Sequence, residues 1–181
     1  MIRSIILYGD PILELESTEV QKNSKIDIKP IIVDMFETMH KANGVGLAAI
    51  QIGIPLRIFI IDAHLNIQNI PEFNFTGTFI NPNILKEFGN LVKHPEGCLS
   101  VPQITALVER LSNIELEWWD ENWEYHKQEF NGYTARIIQH EYEHLNGNIY
   151  IDRLDKMWKK MLESPLNLIS KRKLEVPYLF K

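Results

Sequence analysis

Cysteine is almost absent from this sequence. Cys98 is the only one in 181 residues, so no internal disulfide can form. A lone buried cysteine commonly serves as a small apolar side chain. In a reducing compartment it is also available as a thiolate ligand. Long apolar runs are missing too, and no stretch approaches the roughly 20 residues needed to cross a bilayer. Near the start, Ile5-Ile6-Leu7 follows Arg3, but Gly9-Asp10-Pro11 interrupts the run. It is too short for the core of a signal peptide, and it lacks a small-residue cleavage site. The cytoplasm is therefore the expected location.

An excess of positive charge is lacking as well. Nineteen Lys and Arg against 24 Asp and Glu give a net charge of −5. That argues against a general nucleic-acid binder, which normally carries a basic field, and no sequence-specific nucleic-acid contact is expected. The densest basic patches, Lys159-Lys160 and Lys171-Arg172-Lys173, read as solvated surface. There is no internal repeat, low-complexity tract or Gly/Ser/Pro-rich linker. One domain over residues 1–181 is expected, a length that can bury a sizeable core.

Periodicity supplies the elements. Ile28, Ile31, Ile32, Met35, Phe36 and Met39 recur at helical spacing. Asp27 can cap that helix, and Asn43-Gly44 can end it. Residues 57–61 read as a strand. Phe79-Ile80 and residues 84–88 read as two strands around an Asn81-Pro82-Asn83 turn. Residues 113–119 alternate, with Ile114, Leu116 and Trp118 on one face, and residues 123–130 are the expected antiparallel partner. After Asn131-Gly132, a helix is expected over 133–145, stopped by Asn146-Gly147. Its apolar residues imply burial on more than one side. A short helix is expected from Asp155 to about Leu162. From about residue 164 the chain is undiagnostic; residues 176–180 suit an edge strand or a mobile tail. Helix, strands and central helix together predict an α+β fold, with antiparallel sheets packed around that central helix.

The central helix carries Gln139-His140-Glu141-Tyr142-Glu143-His144-Leu145. Residues four apart share a helix face, so His140 and His144 can grip one metal ion. Glu141 points about a quarter turn away, where it can handle the protons of a water. The pattern is short, and two histidines on a helix can equally be buried and hydrogen-bonded residues with no ligand. In Glu96-Gly97-Cys98-Leu99-Ser100, Gly97 permits an unusual backbone angle or a close approach. A thiolate and two imidazoles would leave a fourth tetrahedral position open, as in a catalytic site. In Gly44-Val45-Gly46-Leu47-Ala48-Ala49-Ile50-Gln51, the small residues leave the backbone open to a ligand, and Gln51 adds an amide donor. Alone, that run reads better as a helix cap and a packed loop, with Gln51 on the surface. It is no phosphate loop, because no Gly-Lys-Ser/Thr follows.

Taken together, and in this order, these three segments closely resemble the three motifs of the peptide deformylases. Tyr8-Gly9-Asp10-Pro11, Asn81-Pro82, Val108-Glu109-Arg110, and Gly147 through Asp152-Arg153 add to the resemblance, which runs from about residue 1 to 154. Two departures stand out. Glu143 occupies a position where the family usually has Asp. Gln103-Ile104-Thr105 also lacks the basic residue that some members carry there, which bears on how the peptide is anchored.

The resemblance implies a metal-dependent hydrolase that removes the formyl group from N-terminal formyl-methionine, releasing formate. It implies Cys98, His140 and His144 as ligands of one divalent metal, usually Fe²⁺, with Ni²⁺, Co²⁺ or Zn²⁺ able to replace it. Glu141 is implied as the proton carrier. Gln51 and the Leu99 N–H are implied as oxyanion donors. Val45 and Gly46 are expected beside the peptide backbone. Val45, Tyr133 and Ile137 are expected around the methionine, with the Arg136 stem and His94 at the edge. The partners expected are N-formylmethionyl nascent peptides, with transient proximity to the ribosome and no membrane. Two other readings stay open. A zinc endopeptidase would take its third ligand downstream, from Asp152, Asp155 or Glu163. A non-catalytic relative would bind peptide without turnover.

Overall fold

The computed structural model describes residues 1–63 and 75–181. Its frame is a five-stranded antiparallel sheet in the order β1-β2-β3-β4-β5, comprising Gly46–Ala48, Ile58–Asp62, Thr76–Cys98, Val101–Trp119 and Tyr125–Asn131. Among the described residues, three α-helices flank it: α1 (Ile28–Lys41), α2 (Gly132–Leu145) and α3 (Lys156–Ser170).

Local chemistry accounts for the helix ends. The Asp27 carboxylate accepts from the Lys29 N–H and starts α1. Asn43 closes it in the left-handed region (φ 56°), and the Gly44 N–H returns to the Met39 carbonyl. Asp155 caps α3 through the Trp158 N–H. That helix runs past the expected Leu162 and through Pro165. Proline costs it one backbone hydrogen bond, but the extra turns bury Leu166 and Ile169.

The strand reading needs correction in two places. Asn81-Pro82-Asn83 is not a turn; β3 runs on through it with a register shift between Ile80 and Asn83. The Asn81 side chain pairs with residue 20 like a piece of backbone, accepting from the Val20 N–H (2.8 Å) and donating to its carbonyl (2.9 Å). The strand over 113–119 is likewise only the end of β4, which pairs with β3 back to Val101.

The described residues form three apolar clusters. In the first, Ile137 and Ile138 of α2 meet Phe59, Phe79, Leu116, Trp118 and Phe130 of the sheet. In the second, the far end of the β3–β4 hairpin meets α3 and residues 149–154. In the third, α1 covers Leu47, Ile58 and Ile60. Helix α2 lies in the middle, with every residue from Thr134 to Glu141 buried. The tail is neither a free edge strand nor loose: Phe180 bridges Ile5 in parallel, with Ile5 N–H donating to the Leu179 carbonyl at 2.8 Å. No described helix is long and apolar enough to cross a membrane.

Candidate active site

Three chain segments converge where α2 faces the turn between β3 and β4. Cys98 ends β3, and its Sγ lies 3.2 Å from Nε2 of His144. Donor atoms of Cys98, His140 and His144 all lie within 4.8 Å of one another. His140 is turned by Glu96, whose Oε2 is 2.9 Å from its Nδ1. Its other face stacks on Tyr150, with centroids 5.7 Å apart.

The electrostatics suit a cation. Burial opposes charge on His140, yet the neighbouring Cys98 and Glu96 hold its pKa well above the ordinary value. A positive ion placed there would take the role of that proton. His144 moves the other way, pushed down by burial and by the charges of His140 and Arg110. One thiolate and two imidazoles fit a divalent metal of borderline softness and leave a fourth position open. Asp152 and Asp155, the downstream ligands of an endopeptidase reading, are engaged elsewhere: Asp152 accepts from the Ile149 N–H, and Asp155 caps α3.

Glu141 is buried beside this cluster, and its Oε2 has no hydrogen-bond partner. Burial pushes its carboxyl up to about 7. Gly46 makes room for it, since a Cβ at that position would sit 2.5 Å from Glu141 Oε1. Gly44 likewise admits the Leu99 side chain. Gly97 is different. It has neither a positive φ nor crowding neighbours, so the protein itself does not demand glycine there.

The orientation of Gln51 follows from its bonds. Its Oε1 accepts from the Ala48 N–H at 2.8 Å. The NH₂ group therefore faces Cys98 Sγ (3.4 Å) and Ser100 Oγ (3.1 Å). Gln51 thus reaches the sulfur of Cys98, a contact the sequence reading did not anticipate.

A cavity of about 410 Å³ opens over this cluster, in the size range of small-ligand sites. Val45, Gly46, Gln51, Cys98 and Leu99 line it, as do Tyr133, Ile137, His140 and Glu141. His144, wholly buried, stands behind them. Arg136 lines it as well, but its guanidinium turns inward to Glu96 (2.9 Å) and the carbonyls of Val108 and Val92. His94 is outside the lining and packs on the Tyr133 ring, centroids 5.4 Å apart.

Sequence reasoning gave Glu96 no role, although it is the hub of the site. Its carboxylate accepts from Arg110 (2.7 and 2.9 Å) and Arg136 and also engages His140. Burial disfavours its charge, but Arg110 and His140 outweigh that and hold its pKa well below the carboxylate range. Its place two residues before Cys98 was the available signal. Val176, Pro177 and Tyr178, from the segment without a pattern, also line the cavity.

Comparison with known proteins agrees with this geometry. The family model described as polypeptide deformylase matches residues 2–160. A peptide deformylase of Cytophaga hutchinsonii is 41% identical over 182 residues, covering 100% of this chain and 97% of that protein. One from Karelsulcia muelleri is 44% identical over 154 residues, covering 85% and 79%. A solved peptide deformylase structure from Plasmodium falciparum superposes with a TM-score of 0.84 at 35% identity, covering 93% of this chain and 96% of that one. By sequence and by fold, the chain belongs to the polypeptide deformylase family, metal-dependent hydrolases that remove the N-terminal formyl group from nascent polypeptides.

Proposed function

We propose that Cys98, His140 and His144 hold the metal, Fe²⁺ in the cell with Zn²⁺, Ni²⁺ or Co²⁺ as competent substitutes, and that Glu141 carries the protons. The observation that carries this reading is the meeting, at one cavity, of three donors, a buried carboxylate with one unpartnered oxygen and an amide donor. When bound, a divalent metal there supplies Lewis-acid activation of water and of the formyl oxygen. Glu141, with a pKa raised to about 7, takes the proton of the attacking water and delivers it to the departing nitrogen, a role worth about 10²–10⁴-fold. The Gln51 NH₂ and the Leu99 N–H are the donors for the oxygen that becomes negative.

The peptide backbone lies extended beside Val45 and Gly46, which line the cavity. Strand β1 stands at the end of the sheet order, and Gly46 at its start lines the cavity, where its backbone can bond a peptide strand. Val45, Tyr133 and Ile137 take the methionine side chain. The whole chain acts as one catalytic domain, in the cytoplasm, on formyl-methionyl chains emerging near the ribosome. The test is formate release from a formyl-Met peptide by anaerobically purified protein of known metal content. Cleavage of an internal peptide bond instead would favour the endopeptidase reading.

A further inference from the structure

The segment over residues 174–181 has no periodicity, yet it is built into the cavity wall. Its fixing points are spread along it. The Glu175 carbonyl accepts from Gln103 Nε2 at 2.8 Å. The Tyr178 hydroxyl donates to the Leu99 carbonyl at 2.8 Å. The Leu179 and Lys181 carbonyls accept from the N–H groups of Ile5 and Leu7. Between these ties, Val176, Pro177 and the Tyr178 ring face the same cavity as Cys98 and Glu141.

The chemistry of this wall is specific. Val176 and Pro177 present hydrocarbon, and Pro177 has no N–H to offer a peptide. On the β4 side, Pro102 and Ile104 continue the apolar lining. Thr105 also lines that side, while the Gln103 side-chain amide is spent on the Glu175 carbonyl. A formyl peptide with its formyl group at the cluster and its methionine against Tyr133 and Ile137 must leave through the rest of the cavity. Its following residues then pass the hydrocarbon of Val176 and Pro177 on the tail side.

Resting on the deformylase reading, we propose that Val176–Tyr178 is a specificity-determining wall that favours apolar side chains in the two residues after formyl-methionine. The Tyr178 hydroxyl is the positioning contact. It ties the wall to the Leu99 carbonyl, so the side that receives the downstream residues is fixed relative to the turn carrying Cys98.

The test compares two substrates on the full-length, metal-loaded protein: formyl-Met-Leu-Leu-amide and formyl-Met-amide, which lacks the two downstream residues. The readout is the ratio of their kcat/KM values. Val176→Asn should lower that ratio about tenfold, the scale set by a small change in an apolar pocket, mainly through KM of the longer peptide. Tyr178→Phe, which removes only the hydroxyl, should lower the ratio in the same direction. Metal content and thermal melts confirm that each variant is folded and loaded. An unchanged ratio in both folded variants would overturn the wall, as would equal losses on both substrates. A wild-type protein that releases formate from neither substrate would overturn the deformylase reading itself.

Discussion

Arg110 grips Glu143 through two parallel hydrogen bonds of 2.7 and 2.9 Å. The pair ties β4 to the helix that carries both histidines. The same guanidinium donates twice to Glu96, which holds His140 Nδ1 at 2.9 Å. Burial opposes the charge of Arg110, but the two carboxylates outweigh it and raise its pKa. A line of charge-assisted bonds therefore runs from Arg153, which also donates to Glu143, to an imidazole of the candidate metal site.

Breaking this line should be costly. The Arg110 side chain is 0% exposed and that of Glu143 13%. Arg110→Ala leaves both carboxylates without their shared cation, and about 3–5 kcal/mol of stability should be lost. Glu143→Asp keeps the carboxylate, and about 1 kcal/mol or less should be lost. Urea unfolding of Arg110→Ala, Glu143→Ala and the double variant gives the coupling. The double loss should fall short of the sum by about 1 kcal/mol or more. Strict additivity would mean that the contact carries no energy.

Glu141 makes a prediction about pH. A glutamate that titrates at 4.5 when unperturbed is pushed by burial up to about 7. The folded protein thus holds this proton more tightly than the unfolded chain. The stabilisation is complete below the unfolded pKa and is lost as pH rises through the folded one. The shift corresponds to roughly 3 kcal/mol. In chelated protein, Glu141→Gln should match the wild type in thermal stability near pH 5 and exceed it at pH 8. An equal difference at both pH values would remove the buried-carboxylate account.

Cys98 should be shielded from thiol reagents by a bound metal and react after chelation. Its Sγ sits against His144 Nε2 and the Gln51 amide. Iron-loaded protein should lose activity in air, as the metal and thiolate are oxidised. Rapid labelling of Cys98 in fully metallated, active protein would exclude it as a ligand.

Gln51→Ala should depress kcat/KM by about 10²–10³-fold, the usual loss for one oxyanion donor. Because Gln51 also bonds the sulfur and Ser100, metal content is measured alongside. A rise in KM with kcat intact would make Gln51 a ground-state contact instead.

The legible parts of this molecule are those whose chemistry repeats along the chain. Helix α2 announced itself through its apolar face, its caps and the spacing of His140 and His144. The β3–β4 hairpin did not. Residues 83–95 of β3 are solvent-facing or half-buried, so no apolar alternation marks them. On β4 the even positions are buried from Ile104 through Arg110 and again from Ile114 through Trp118, with Ser112 half-buried between, and the series passes through Ala106 and Arg110. A buried arginine breaks a hydrophobic pattern even while it holds two carboxylates. The tail was illegible for another reason: it is held by backbone pairing and by single contacts from Gln103 and Tyr178, and neither leaves a period in the sequence.

The most direct test of the account loads wild type and Glu141→Gln with one equivalent of the same divalent metal and follows formate release from a formyl-Met peptide. The account predicts equal metal content. Wild type should yield one formate per free amino terminus, while Glu141→Gln should fall by about 10²-fold or more. Near-equal turnover by the two proteins would contradict it.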